Sequence, residues 1–447
     1  MLTTLQERMG AKVVIDPAVL QTHGQDRNYP QISPPQAVVF AESVLDVQEA
    51  LRWAREAGVA VIPYGAGSSL EGQLIPVGPT LSLDLSRMKR ILSVRPEDFL
   101  VEVEPGLTRE ELNAALAEQG LFFPVDPGAN ATLGGMASTN ASGTTTVRYG
   151  GMRHNVALID VVLASGEVLT LGRAVRKTSS GYDLKDLFLG SAGTLGIITR
   201  LMLRVYPLPA FAHTLRVFFP GLREASQASY RIMASGLPVA RLELLDELSI
   251  GLINRDLGRD YPERPALFVE FHSSNAGAIA EESRLAEQLM RAAGALDVAT
   301  ASSPEERTAQ WEARHNFYWA MVHAYPGCFC YGTDTAVPLA CVTELVLYAQ
   351  QLLVEMNLPG CIVGHVGDGN FHTTIAITPD QWEQAEAYSS RLTGRALELG
   401  GTASGEHGIG LVKKRFMREE HGAAVDWMQQ IKNLFDPHNL LNPGKIF

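Results

Sequence analysis

The chain has 447 residues, of which 46% are hydrophobic and 19% charged, enough for two or three domains with sizeable cores. Its formal net charge of -12 argues against nucleic acid as a partner, because phosphate binding needs a basic face. A small anionic substrate stays open, since one or two local arginines can capture a carboxylate whatever the net charge.

The N-terminus lacks a basic start followed by an apolar run, and no stretch approaches the roughly 20 apolar residues of a membrane span. The expected location is cytoplasmic, with peripheral membrane contact left open. Residues 1–30 suggest a short amphipathic helix and a polar loop. Residues 37–41 read as a strand, 43–56 as a helix with Ser43 as N-cap, and 59–64 as a second strand. Short strands follow at 81–84, 91–94 and 100–103. A helix at 108–119 opens with Thr108 and Glu111 at capping-box spacing. Residues 156–163 and 167–171 read as a hairpin around Ser165-Gly166. Two prolines in Tyr206-Pro207-Leu208-Pro209 mark a boundary. Beyond it, strands at 214–218 and 266–271 and helices at 277–293 and 342–355 suggest an antiparallel sheet covered by helices. A last helix spans 423–435. The four cysteines, Cys328, Cys330, Cys341 and Cys361, form no C-x-x-C pair and read as reduced thiols.

Three glycine-rich segments stand out. The first, Pro63 to Gly72, includes Gly65, Ala66, Gly67, Ser68 and Ser69. The second starts at Pro127 and runs through Thr132, Gly134, Gly135, Ser142, Gly143, Tyr149 and Gly150. The third, 190–198, carries Gly193, Gly196 and Ile198. Glycines let backbone N–H groups converge on one concavity that binds pyrophosphate, and Ser68, Ser69 and Thr132 would add hydroxyl donors. A single segment would read as an ordinary turn; three within so short a span favour a dinucleotide. The G-x-G-x-x-G and G-x-x-x-x-G-K-[ST] fingerprints are absent, so NAD and ATP lose their main support.

The 63–72 segment, the 134–151 run and Gly193-Thr194-Leu195-Gly196 resemble the FAD-binding domain of the vanillyl-alcohol oxidase / p-cresol methylhydroxylase superfamily. The resemblance implies an α+β fold: a PCMH-type FAD-binding domain of two α+β subdomains, plus a cap domain with an antiparallel sheet covered by helices. It also implies FAD, held non-covalently here, because segment 63–72 has no His or Cys and no Cys precedes Cys328. The pyrophosphate is expected on 65–69 and 132–135. The expected domains are 1–208 for FAD, 209–398 for the cap, and 399–447 packing back on the FAD domain and closing the active site.

In the C-terminal half, Gly364-His365-Val366-Gly367-Asp368-Gly369-Asn370-Phe371-His372 reads as strand, turn, strand. A hairpin with a four-residue loop puts His365 opposite His372 on one face, close enough to share a divalent metal. Gly405-Glu406-His407-Gly408 can present a carboxylate and an imidazole from a tight loop. Two histidines and a carboxylate leave open positions for a hydroxy acid and accept Zn, Mn or Fe. An isolated histidine pair would more simply hydrogen-bond across a hairpin; both motifs together favour the metal.

HVGDGNFH, GEHGIG and Asn442-Pro443-Gly444-Lys445 look like the D-lactate dehydrogenase / glycolate oxidase / D-2-hydroxyglutarate dehydrogenase branch. The stretch 311–316, with Thr333-Asp334 and Val337-Pro338, is similar to the cytochrome-linked D-lactate dehydrogenases. By that resemblance His365, His372 and Glu406 match the metal ligands, His407 the catalytic base, and Arg314 the arginine that grips the substrate carboxylate. Gly332 and Thr333 stand where dicarboxylate-specific relatives carry a lysine before the aspartate, which weakens 2-hydroxyglutarate as substrate.

The implied activity is FAD-dependent oxidation of a small D-2-hydroxy acid, D-lactate to pyruvate, by hydride transfer to flavin N5 with a metal and a histidine base. Glycolate or D-2-hydroxyglutarate are the alternatives within the family, and an FAD-binding electron-transfer subunit is the alternative of another class. The electron acceptor, a cytochrome, a quinone or an electron-transfer flavoprotein, is named by no motif. A homodimer is the base-rate assembly. His154, His315, His323 and His438 read as structural.

Overall fold

In the computed structural model, residues 2–301 and 303–447 are described; Met1, inside the expected first helix, and Ser302 lie outside them. The chain divides into two compact units. The first comprises 1–142, 150–208 and 406–447, and the second 143–149 and 209–405.

Among its described residues the first unit holds two larger sheets and a two-stranded pairing of Leu121–Phe122 with Tyr206–Pro207. In one, the strands Ala37–Phe40, Thr80–Asp84 and Ala60–Tyr64 run parallel, with Val13–Val14 antiparallel at the edge. The helix Val44–Ala57 makes the crossover between two of them. Ser43 caps it by accepting from Asp46 N, and Gly58 ends it in the left-handed conformation. Trp53, Ala54, Leu51 and Val47 pack its inner face into the core of this layer. The second sheet is antiparallel, in the order Ile91–Arg95, Leu100–Val103, Ile197–Arg204, Val156–Val162, Val168–Gly172. The helix Arg109–Ala117 carries the expected capping box of Thr108 and Glu111. Residues 1–30 hold more structure than expected: a strand at Val13–Val14 and a helix at Pro17–Thr22 capped by Asp16.

The end of the chain belongs to this unit. Val61 N donates to Leu440 O, and Asn442 N to Val61 O, both at 2.8 Å. The buried Lys432 donates to Thr194 O and Leu441 O and pairs with Asp436.

The second unit is built on one antiparallel eight-stranded sheet. Its order is Asp297–Ala301, Phe211–Phe218, Ala266–Ser273, Val239–Leu245, Gly360–Gly364, Asn370–Ile377, Phe329–Gly332, with Thr335–Ala336 also pairing Asn370–Ile377. Strand side chains alternate between faces. One face, with Leu215, Leu242, Leu244, Val269, Phe271 and Ile375, is covered by the helices Leu222–Ala234, Ala276–Ala292, Val342–Glu355 and Trp382–Glu398. On the other face Phe218, Leu245, Phe268, Val363 and Ala376 pack under the helices Glu247–Leu257, Pro304–His315 and Phe317–Ala324. That second face is apolar over only part of its area, and the rest of it carries the polar groups described next. Among the described residues no helix is long and apolar enough to cross a membrane.

Candidate functional site

In the strand Val239–Leu245, Leu242 and Leu244 face the apolar side, so Arg241 and Glu243 face the other. Arg241 pairs in register with Glu270, and Glu270 with Thr214. The result is a lane of polar residues crossing the sheet. Glu270 accepts from Thr214 Oγ1 at 2.8 Å, Trp311 Nε1 at 2.6 Å and His272 Nε2 at 2.8 Å. Burial would raise its pKa; the His272 hydrogen bond and the Arg241 charge overcome this and hold it at about 2. Arg241 lies 3.7 Å from Glu270 and 4.8 Å above the Trp311 ring.

The helix Pro304–His315, capped by Ser303 and Glu306, delivers Trp311 to Glu270 and, one turn later, Arg314 to Glu243. Arg314 donates from Nε at 2.9 Å and lies 2.8 Å through Nη2 from Oε2 of Glu243. The other oxygen, Oε1, accepts from His365 Nδ1 at 2.6 Å. Glu243 has no solvent exposure. Burial raises its pKa, but the His365 and Arg314 charges outweigh that and hold it at about 2.

The hairpin register differs from the sequence expectation. Val363, not His365, stands opposite His372. The first strand ends at Gly364 (φ 153°), where a Cβ would meet the Phe371 backbone at 2.5 Å. The chain then turns tightly, with Val366 N bonded to Gly364 O and Asp368 N to His365 O. His365 has left the ladder, yet its ring sits 5.4 Å from that of His372, edge to face. Ring nitrogens of the two lie within 4.8 Å of each other. His372 Nδ1 donates to Thr333 O at 3.1 Å. Both rings therefore spend Nδ1–H on orientation, which puts the lone pair on Nε2.

Gly405, the residue before Glu406, packs in this second unit, where a Cβ would meet Asn370 Nδ2 at 2.2 Å. Asn370 itself is tied to Asp334 Oδ1 at 2.8 Å and Thr335 O at 2.6 Å. Gly143 and Tyr149, read from sequence as cofactor residues, also belong to this unit. The Tyr149 hydroxyl donates to His272 Nδ1 at 2.9 Å.

In the first unit the three glycine segments meet. A Cβ on Gly65 would lie 2.2 Å from Thr132 Oγ1, and one on Gly193 would lie 2.3 Å from Pro63 Cγ. Gly134 and Gly196 are closely approached by Pro105 and Phe188, and Gly150 by His154. Gly67 has a φ of 66°, with the Tyr64 hydroxyl beside it. Ala66 is exposed, Gly135, Ser68 and Pro127 are half-buried, and Ile198 is buried at the head of its strand. One expected hydroxyl donor, Ser69, and another residue of the expected cofactor site, Ser142, have protein partners. Ser69 donates to Asp26 at 3.0 Å, and Ser142 to Glu406 Oε2 at 2.9 Å. Burial, against three hydrogen bonds, pushes Asp26 up to about 6.

His407 is 14% exposed, and its Nδ1 lies 3.4 Å from Glu71 Oε1. The same oxygen is 3.0 Å from Lys413 Nζ, with both side chains buried. The loop is tied to the Gln73 side chain and the Glu71 backbone. Gln73 Nε2 donates to His407 O at 2.6 Å, and Leu411 N to Glu71 O at 2.8 Å. Glu71, Glu243, Glu270 and His272 were not singled out from sequence.

Comparison with known proteins places these features in context. The family described as FAD linked oxidases, C-terminal domain, matches residues 208–446, and an FAD binding domain matches 35–172. A probable mitochondrial D-lactate dehydrogenase of Danio rerio is 41% identical, over 97% of this chain and 88% of that protein. A mitochondrial D-lactate dehydrogenase [cytochrome] of Arabidopsis thaliana is 37% identical, over 95% and 76%. A glycolate oxidase subunit of Bacillus subtilis is 31% identical, over 93% and 89%. Among solved structures, p-cresol methylhydroxylase superposes with a TM-score of 0.80 at 16% identity, covering 100% of this chain and 96% of that one.

Proposed function

Because the chain belongs to the FAD-linked oxidases, we propose that it is an FAD-dependent dehydrogenase of small D-2-hydroxy acids, with D-lactate as substrate and pyruvate as product. The observation that carries the reading is the pair His365 and His372, each turned by its Nδ1–H so that Nε2 is the ligating atom. Family relatives named for D-lactate supply the substrate.

The residues fit both groups the reading needs. Gly65 packs so closely on Thr132 Oγ1 that a Cβ would lie 2.2 Å from it, which keeps the backbone of the glycine segments bare, as a pyrophosphate site needs. With no His or Cys in segment 63–72, the flavin is held without a covalent bond. Two histidines and a carboxylate suit a divalent zinc, manganese or iron. Glu406, one peptide bond beyond Gly405, supplies that carboxylate, and Ser142 orients it.

When bound, FAD supplies the hydride acceptor, and the metal supplies a Lewis acid that makes the substrate hydroxyl more acidic. Arg314 grips the substrate carboxylate with the guanidinium edge not engaged by Glu243. His407 takes the hydroxyl proton at Nε2, with the Glu71 carboxylate 3.4 Å from its Nδ1 to favour the imidazolium that forms. Lys413 keeps the Glu71 carboxylate neutralised inside the protein. Cytochrome in the names of mitochondrial relatives supports a cytochrome as the final acceptor.

Anaerobic mixing of the yellow protein with D-lactate, L-lactate, glycolate and D-2-hydroxyglutarate tests this through flavin absorbance. Rapid bleaching by D-lactate is the expected result. Bleaching by glycolate alone would move the substrate, and bleaching by none after divalent metal is added back would refute the reading.

A further inference from the structure

We propose that Glu243 is a positioning residue that locks the substrate-binding arginine and a metal-ligating histidine into one rigid unit. The inference rests on the roles given to Arg314 and His365 above. Three separate elements converge on this carboxylate: the strand Val239–Leu245, the C-terminal turn of the helix Pro304–His315, and the turn that follows Gly364. Its oxygens divide the work. Oε1 takes the His365 Nδ1–H at 2.6 Å, and Oε2 takes Arg314 through Nε at 2.9 Å and Nη2 at 2.8 Å.

The consequences differ for the two partners. His365 is fixed in ring orientation and tautomer, with Nε2 as the ligating atom, and a carboxylate on Nδ1 makes that atom more basic. Arg314 has its Nε side occupied, so its Nη1–Nη2 edge is the one presented to a second carboxylate in a bidentate pair. The spacing between metal and substrate carboxylate is thereby set by one side chain. A carboxylate kept only to neutralise Arg314 would not also need to hold His365. An apolar residue in so buried a place would often serve stability as well or better.

The test uses four proteins: wild type, Glu243→Gln, Glu243→Asp, and Leu244→Ala as a control. Leu244 is equally buried and faces the opposite, apolar side of the same strand. Zinc alone is titrated into chelator-stripped protein, and KM and kcat for D-lactate are measured on the FAD-loaded enzyme with a dye acceptor. For Glu243→Gln, zinc affinity should fall roughly 10–100-fold and KM should rise by a similar order. Leu244→Ala should lower the melting temperature and leave both within about twofold. A folded Glu243→Gln protein with wild-type zinc affinity and KM overturns the proposal. Should Glu243→Gln fail to fold, Glu243→Asp decides: the shorter acid cannot span both partners, so unchanged zinc affinity and KM overturn the proposal. Failure of the wild type itself to bind zinc would refute the metal reading, and this inference with it.

Discussion

Replacing Glu71 by glutamine removes a buried negative charge that serves two neighbours, Lys413 Nζ at 3.0 Å and His407 Nδ1 at 3.4 Å. The two effects separate by size and by assay. Lys413 is 2% exposed, and taking the anion from beside a buried cation costs about 3–5 kcal/mol. At roughly 2–4 °C per kcal/mol for a unit of this size, the melting temperature should fall on the order of 10 °C. If His407 is the proposed base, losing the carboxylate beside its Nδ1 should slow flavin reduction by roughly 10²-fold or more. The double variant Glu71→Gln/Lys413→Met removes the stranded charge and keeps the side-chain volume. It should regain most of the melting temperature while flavin reduction by D-lactate, followed by anaerobic stopped flow, stays slow. Recovery of the rate together with stability would show that Glu71 is purely structural. A wild-type rate in the single variant would remove it from the reaction altogether.

His407→Ala should retain FAD and lose substrate-dependent flavin reduction by roughly 10²–10⁴-fold; normal reduction would end its assignment as the base. Gly65→Ala sets a Cβ 2.2 Å from Thr132 Oγ1, an overpacking of about 1–3 kcal/mol, and should weaken FAD binding measured by fluorescence, with Thr132→Ala restoring part of it. Asp246 caps the helix Glu247–Leu257 and is fully buried, which pushes its pKa from 3.8 to about 6 against hydrogen bonds from Ser249 and Ile362. The folded value lies above the unfolded one, so its contribution is full below about pH 4 and is lost as pH rises through about 6. The stability of wild type relative to Asp246→Asn should therefore fall by about 3 kcal/mol from pH 4 to pH 7. A flat difference in denaturant melts across that range would refute it.

Local signals were legible, and long-range ones were not. Thr108 with Glu111, Ser43 before its helix, and the helix Val342–Glu355 stand where the sequence puts them, because caps and helical periodicity are written within a few residues. The His365–His372 hairpin was legible as a pair but not in register, because the tight turn after Gly364 takes His365 off the ladder before the expected loop begins. Glu243 and Glu71 escaped notice for another reason. Their partners lie far away in sequence, His365 for one and His407 for the other, and only the fold brings them together. A signal for Glu243 did exist. In Val239-Ala240-Arg241-Leu242-Glu243-Leu244-Leu245, charges alternate with leucines, the pattern of a strand with one apolar face and one polar face.

The polar lane of the second unit carries a charge problem whose solution bears on the chemistry. Glu243 and Glu270 are buried acids faced by Arg314 and Arg241, and the buried Asp334 accepts from Asn370 and Ser404. Glu243 and Glu270 are held ionised near pKa 2, so each arginine is matched by a carboxylate it already touches. Metal binding by the proposed ligands His365 and His372 would require Nε2 of each to carry no proton, so the rings would add no fixed positive charge. Among the described residues of the lane, the fixed cations thus do not exceed the anions, yet the proposed substrate is itself an anion. Attraction between Arg314 and an incoming carboxylate must compete with Glu243 in the same low-dielectric surroundings. A divalent cation, if held by the proposed ligands His365 and His372, would supply the missing positive charge and the Lewis acid that the reaction needs. On this argument metal and substrate bind cooperatively: adding D-lactate or pyruvate should tighten zinc binding to stripped enzyme, and zinc should tighten either acid by the same factor. Zinc affinity indifferent to saturating pyruvate would mean that the acid finds its charge elsewhere, and would separate the metal from substrate binding.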